Sequence, residues 1–139
     1  MASTQELLDL EQAVAEHDAD ALWSLVPALD GCSEAVPLLS ELLLAHWHQS
    51  HEDIVFTLGL IGDLRAVNSI AKAVLRPFES LVKWNNLHEF QRKCAYALAR
   101  IDTPESRAAL EELAQHSDPH LKEYGVEGLG KWPIPYRPQ

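Results

Sequence analysis

Histidines and carboxylates crowd together once in this 139-residue chain, at His46-x-His48-x-x-His51-Glu52-Asp53. Imidazole nitrogens beside carboxylate oxygens are the donor set of zinc or iron sites. The spacing argues against one: on a helix His46 and His48 point to different sides, and His51 lies across an expected turn. Solvent-facing residues are the expectation there, with neither metal nor cofactor. No Ser-His-Asp or Cys-His arrangement stands out for nucleophilic catalysis, so no catalytic residue is assigned and no enzyme is expected. Gly125-x-x-Gly128-x-Gly130 follows no strand and lacks the spacing of a phosphate-binding loop.

Charge is more informative. The formal net charge is −10, and every Lys and Arg lies at or after Arg65. Residues 1–64 hold twelve of the twenty-one acidic residues and no basic one, whereas residues 65–139 hold nine acidic and eleven basic residues. An asymmetry this sharp predicts a polarised surface. Phosphates would be repelled from the acidic half, which excludes nucleic acid as its partner and suits a basic protein. The candidate docking residues are Glu11, Glu16, Asp18, Asp20, Glu34, Glu41, Glu52 and Asp53.

Aromatic residues add to that set. Trp23, Trp47, Trp84 and Trp132 are mostly expected to be partly buried, because indole is a large apolar group with one donor to satisfy. Trp84, beside Asn85-Asn86, and Trp132, beside a run of prolines, are the better candidates for a binding edge, and Trp84 joins the docking residues. Arg92, Lys93, Arg100 and Arg107 are expected on helix surfaces, paired with Glu89, Glu105, Glu111 and Glu112.

These residues need elements to position them. Length and composition predict one domain over residues 1–132 and an extended, proline-rich tail over 133–139. No apolar run reaches membrane-spanning length, and no membrane partner is expected. The start, Met-Ala-Ser-Thr-Gln-Glu, lacks the features of a secretory signal. Cys32 and Cys94 read as reduced thiols, so a cytoplasmic location is expected. Apolar spacing at i, i+3, i+4 and i+7 predicts helices near 4–17, 19–29 (bent at Pro27) and 34–48, then two short helices over 50–75 folded back on a turn at Gly62-Asp63. Helices near 78–84, 88–101 and 103–116 follow, and Asp118-Pro119 starts a last helix that carries Leu121, Tyr124, Gly125 and Leu129. Ser50 and Thr103 are expected N-caps, and Gly62 is expected to end its helix in the left-handed region. Val67, Ile70, Ala71, Val74 and Leu75 form the clearest inward stripe. Nothing alternates with period two, so no sheet is predicted.

The pattern recurs. Shifted by forty residues, Phe56 meets Tyr96, Leu58 meets Leu98, Ile61 meets Ile101 and Ile70 meets Leu110. At a spacing of thirty-one, Leu29, Ala35 and Val36 meet Leu60, Ala66 and Val67, and Phe90 and Leu98 meet Leu121 and Leu129. Such periods belong to stacked helical hairpins. Leu58-Gly59, Ile61-Gly62-Asp63-Leu64-Arg65-Ala66-Val67, Asp118-Pro119 with Leu129-Gly130, and Glu34-Ala35-Val36-Pro37 carry the similarity. Over roughly residues 20–132 the chain resembles the HEAT-like repeat family, particularly the short bacterial type first described in phycobilin lyases.

The resemblance implies an all-α superhelix, a solenoid of about four hairpins. Three enzyme functions on that scaffold frame the alternatives. HEAT-like deoxyhypusine hydroxylases hold two irons through four His-Glu pairs. Here His51-Glu52 and His88-Glu89 are the two present, and Lys122-Glu123 stands where another might recur. The HEAT-like alkylpurine glycosylases line a concave face with basic and aromatic residues, for which this chain could offer only its C-terminal half, and a bilin lyase would need a pocket with an activating acid or base. A binding module is the stronger expectation, in its most concrete form an immunity protein that neutralises a basic toxin or effector.

Overall fold

A computed structural model describes residues 4–134, and within them the secondary structure is entirely helical and turn. Helix α1 covers Thr4–Glu16 and α2 covers Ala19–Leu25. A 3-10 turn at Pro27–Leu29 bends the chain where proline forbids a continuous helix. Helices α3 (Val36–Leu43) and α4 (His51–Ile61) follow, then α5 (Val67–Ala73) and α6 (Glu79–Lys83). Three longer helices complete the chain: α7 (Leu87–Arg100), α8 (Pro104–Ala114) and α9 (Pro119–Lys131). None is long and apolar enough to cross a membrane.

The helices form two layers. The Pro27–Leu29 turn, α4, α7 and α9 pack side by side in one, and α3, α5 and α8 in the other. Each hairpin therefore contributes one helix to each layer, and α9 stands for the last unit. The core runs between the layers and includes Leu29, Leu39, Leu58, Ile70, Phe90, Leu98 and Leu110, all fully buried. Burying a Leu or Phe contributes about 1.5–3 kcal/mol each. A lone hairpin has too few such residues, which is why the unit must stack.

Local chemistry repeats with the packing. A 3-10 turn leads into α3 at Ser33–Ala35, and its counterpart leads into α5 at Leu64–Ala66, thirty-one residues later. Gly62 ends α4 with φ 72°, its N–H donating to the Leu58 carbonyl. Thr103 accepts from the Ser106 N–H, and the Thr103 N–H is returned to Ser106 Oγ, closing a capping box. Asp118 accepts from His120 and Leu121 N–H at the start of α9. Asn85 ends α6 in the left-handed region, with the Asn86 N–H on the Leu81 carbonyl.

The two spacings have a structural cause. Between α8 and α9 lie residues 115–118, whereas between α5 and α7 lie residues 74–86. The nine extra residues lengthen a thirty-one-residue unit to forty, and they contain α6. Trp84 sits on that excursion.

Several expectations are corrected. The helix predicted over 34–48 begins with a 3-10 turn and its α-helical part ends at Leu43, because residues 44–50 turn to place His48 and His51. Ser50 precedes α4, yet its hydroxyl caps nothing. Leu75 lies beyond the end of α5 and is exposed rather than inward. Of the expected tail, Pro133 and Ile134 are described, and the Ile134 N–H donates to the Ala99 carbonyl of α7. Residues 135–139 lie outside the described residues.

Candidate protein-docking surface

The acidic candidates are spread over the N-terminal half rather than gathered at one place. Glu11 and Glu16 are exposed on α1, and Glu41 is exposed on α3. Asp20 is exposed in the first turn of α2, where Asp18 is the N-cap and accepts from the Ala21 N–H at 3.2 Å. Glu34 lies beside the Cys32 thiol, which donates to it at 3.5 Å. Burial and that carboxylate both push the Cys32 thiol pKa up. Glu52 and Asp53 occupy the first turn of α4 and are half-buried. Among these, only Glu52 forms an ion pair with a Lys or Arg among the described residues.

The cations that do reach the acidic half lie along its border. Lys93 Nζ meets Glu52 Oε2 at 3.2 Å. Arg65 chelates Asp63 and also donates to the Ser33 carbonyl at 2.8 Å, joining successive hairpins. Hydrogen bonds from Arg65 hold the Asp63 carboxyl below its ordinary pKa. Deeper in the C-terminal half, Arg92 pairs with Glu127 at 2.8 Å, and the Tyr96 hydroxyl donates to the same oxygen at 2.7 Å. Arg107 lies 3.9 Å from Glu111. Arg92 and Lys93 thus pair across hairpins rather than with the expected Glu89, Glu105 or Glu112. Arg100 has no ionic partner among the described residues.

Of the three clustered histidines only His46 is exposed as expected. His48 and His51 are 2% and 1% exposed, which corrects the expectation. His48 Nε2–H donates to the Leu42 carbonyl at 2.6 Å while Nδ1 accepts the Ser50 N–H at 3.0 Å, a pattern only the neutral ring can make. His51 Nε2–H donates to the Ala45 carbonyl at 2.8 Å, and its ring stacks on Phe78 at 3.9 Å. Burial lowers the pKa of both, that of His51 to about 4, reinforced by the neighbouring imidazoles. Their function is to hold the end of α3. His17, left-handed at φ 52°, closes α1 and lies flat on Trp47 at 4.5 Å.

The two His-Glu pairs do not converge. His51 is in the core and Glu52 is held by Lys93, while His88 stacks on His120 at 3.9 Å and Glu89 lines a different groove. Among the described residues no group of three or more His, Cys, Asp or Glu side chains is placed to hold a metal ion.

Two of the grooves on the described surface involve the residues singled out above. The first, about 280 Å³, lies along the α4–α7 contact, with Phe56, Tyr96, Arg92 and Arg100 on its walls. Its floor exists because Gly59 approaches Ala97 so closely that a Cβ on Gly59 would lie 2.9 Å from the Ala97 Cα. The second, about 150 Å³, has Trp23 from α2, Ser50, Glu52 and Asp53 from the start of α4, and Leu81 and Trp84 from the α6 excursion. It brings Glu52, Asp53 and Trp84 of the sequence-derived set together. Glu11, Glu16, Asp18, Asp20, Glu34 and Glu41 are outside it.

Two tryptophans exchange their expected roles. Trp132 is partly buried; its indole N–H donates to Ser106 Oγ at 3.3 Å and Arg107 covers its ring, so it is no binding edge. Trp23, expected to be partly buried, is 53% exposed. One weak sign of this was legible: Leu22 and Val26 already supply the inward stripe of this segment, which leaves Trp23 at the edge of the stripe.

The family model of the PBS lyase HEAT-like repeat matches residues 90–116, which is the α7–α8 hairpin. That hairpin is HEAT-like, and the stacked units around it share its architecture. No curated protein and no solved structure matches the chain.

Proposed function

We propose that this protein is a HEAT-like binding module whose acidic N-terminal half docks a basic protein, and that it acts there as an immunity protein or inhibitor of a basic toxin or effector. One observation carries the reading: residues 1–64 contain no Lys or Arg, while Glu11, Asp20, Glu34, Glu41 and Asp53 have no ionic partner among the described residues. Self-repulsion of unpaired carboxylates costs stability, and a cationic surface would reverse that cost on docking. Complementary fields would raise the association rate, and buried anchors would set the dissociation rate. A small, stacked scaffold suits steric blocking, since its surface is presented by rigid helices.

The test is capture by the intact protein, followed by affinity measurement with the recovered protein. Asp18 is left unchanged because it caps α2. Reversing Glu11, Glu16, Asp20, Glu34 and Glu41 to Lys should weaken binding by about a hundredfold at low salt, and added salt should weaken the unaltered complex. An affinity indifferent to both the reversal and salt would overturn the proposal.

A further inference from the structure

The groove between α2, α4 and α6 has features that packing alone does not explain. Trp84 is 63% exposed and Trp23 is 53% exposed, although each could be a buried anchor in a chain of this size. The two indoles make no ring contact with each other among the described residues, so they stand as walls rather than a stacked pair. The start of α4 lines the same groove. Ser50 is 1% exposed with its hydroxyl unpartnered, and Glu52 Oε1 is likewise buried without a hydrogen bond. Asp53 has no ionic partner among the described residues. A buried polar atom left without a hydrogen-bond partner is costly, and this groove contains two.

We propose that this groove receives the cationic side chain, lysine or arginine, of the docked protein, held between Trp23 and Trp84 with its charged end toward Ser50, Glu52 and Asp53. The size fits one side chain: about 150 Å³ is well below the several hundred typical of pockets for drug-sized ligands. The chemistry fits a cation. Indole faces attract ammonium and guanidinium groups, the Asp53 carboxylate neutralises them, and Glu52 Oε1 and the Ser50 hydroxyl, both unpartnered, supply further acceptors, the Glu52 charge itself being matched by Lys93. Lys83 already lies 5.5 Å from the centre of the Trp84 ring, so one indole interacts with an ammonium from its own chain. The groove rests on the reading of the acidic half as a docking surface and makes it specific, since it would be the anchor within a diffuse field.

The probe is the tripeptide acetyl-Gly-Lys-Gly-amide, with arginine and norleucine versions, titrated into the full-length protein at low salt and followed by amide and indole NMR signals. Both charged peptides should give saturable shifts at Ser50, Asp53 and the Trp23 and Trp84 indoles, with about millimolar dissociation constants. The larger response identifies the preferred side chain. Trp84→Ala and Asp53→Asn should each weaken binding about fivefold, while Glu112→Lys, exposed on α8 in the other layer and outside the docking set, should change it by less than about twofold. Equal shifts with norleucine, shifts spread evenly over the acidic surface, or no saturable binding would each overturn the assignment. None of those results bears on whether the intact protein captures a basic partner, so the two proposals fail separately.

Discussion

The two halves of the solenoid are built from the same unit and stabilised by different means. From Arg65 onward both signs of charge are interspersed, one pair, Arg92 with Glu127, crosses hairpins with the Tyr96 hydroxyl on the same oxygen, and helices approach closely at glycine. Before it, neutral side chains grip main-chain carbonyls: His48 holds Leu42 and His51 holds Ala45. Carboxylates on that half are mostly left to solvent. With no Lys or Arg before Arg65, that half can be neutralised only from outside it, as Lys93 does for Glu52, and it is the half proposed above as the docking surface. The C-terminal half is the structural anchor, and the N-terminal half is where charge remains uncommitted.

The largest effect should come from the closest approach in the anchoring half. A Cβ on Gly125 would lie 2.4 Å from the Ala114 nitrogen and 2.6 Å from the Leu113 carbonyl carbon, both main-chain atoms of α8. Helix α9 would have to move away from α8. Gly125→Ala should cost at least about 3 kcal/mol and lower the melting temperature by about 10 °C. Gly130, on the same helix, has nothing within 4 Å of such a Cβ, and Gly130→Ala should be neutral or stabilise by about 0.5 kcal/mol. Equal thermal denaturation curves for the two variants would remove the distinction.

Acid should loosen the other half next. The His51 pKa is lowered from 6.5 to about 4, so the unfolded chain binds a proton more readily than the folded one between those values. The histidine contribution is therefore complete above pH 6.5 and is lost as the pH falls toward 4. Between about pH 7 and pH 4.5 the stability attributable to His51 should fall by about 2–3 kcal/mol, measured by urea unfolding. Protonating the free carboxylates relieves repulsion and acts in the opposite direction. The informative quantity is thus the difference in pH slope between the native chain and His51→Phe, which keeps an aromatic ring against Phe78 but cannot titrate. Parallel slopes would show that the buried imidazole is not the sensor.

Much of the fold was legible because hairpin stacking depends on periodicity. Leu58, Ile70, Leu98 and Leu110 are core residues in both the repeat alignment and the structure. Gly62, Thr103 and Asp118 each perform the end-capping chemistry their residue types suggest. The candidate site was less legible. Glu52, Asp53 and Trp84 were selected from charge and local context, but their convergence with Trp23 depends on a thirteen-residue connection that carries α6 across the start of α4. No local pattern encodes where such an excursion lands. His48 and His51 were misread for a related reason: helical spacing was extended to His48, whereas the helix stops at Leu43 and the side chains turn back to its carbonyls.

Charge reversal separates the halves by a smaller stability effect. In the isolated protein, Glu11→Lys together with Glu41→Lys should leave stability unchanged or raise it by about 0.5–1 kcal/mol at low salt, since both carboxylates are exposed in a field of like charge. Adding salt should shrink that gain. The same two changes should weaken capture of a basic partner. Destabilisation would instead make these carboxylates part of the fold, and the contrast between the halves would then lose its meaning.

The smallest effect should come from the anchoring half's own charge pair. Glu127 accepts from both Arg92 and Tyr96, and those hydrogen bonds hold its carboxyl pKa below the ordinary value. The interaction joins α7 to α9, yet Arg92 is exposed and its side chain must be ordered to make it. A surface pair of this kind contributes about 0.5–1 kcal/mol, and salt weakens it. Glu127→Gln keeps an acceptor for the Tyr96 hydroxyl and removes only the charge, so it should cost about 0.5 kcal/mol in urea unfolding at low salt and nothing measurable at high salt. The opposite salt response of the Glu11 and Glu41 reversals is the sharper comparison: in one half removing a carboxylate charge loses an attraction, and in the other it relieves a repulsion. Salt responses of the same sign in both halves would mean that the acidic field is already balanced within the chain, with no charge left over for a partner.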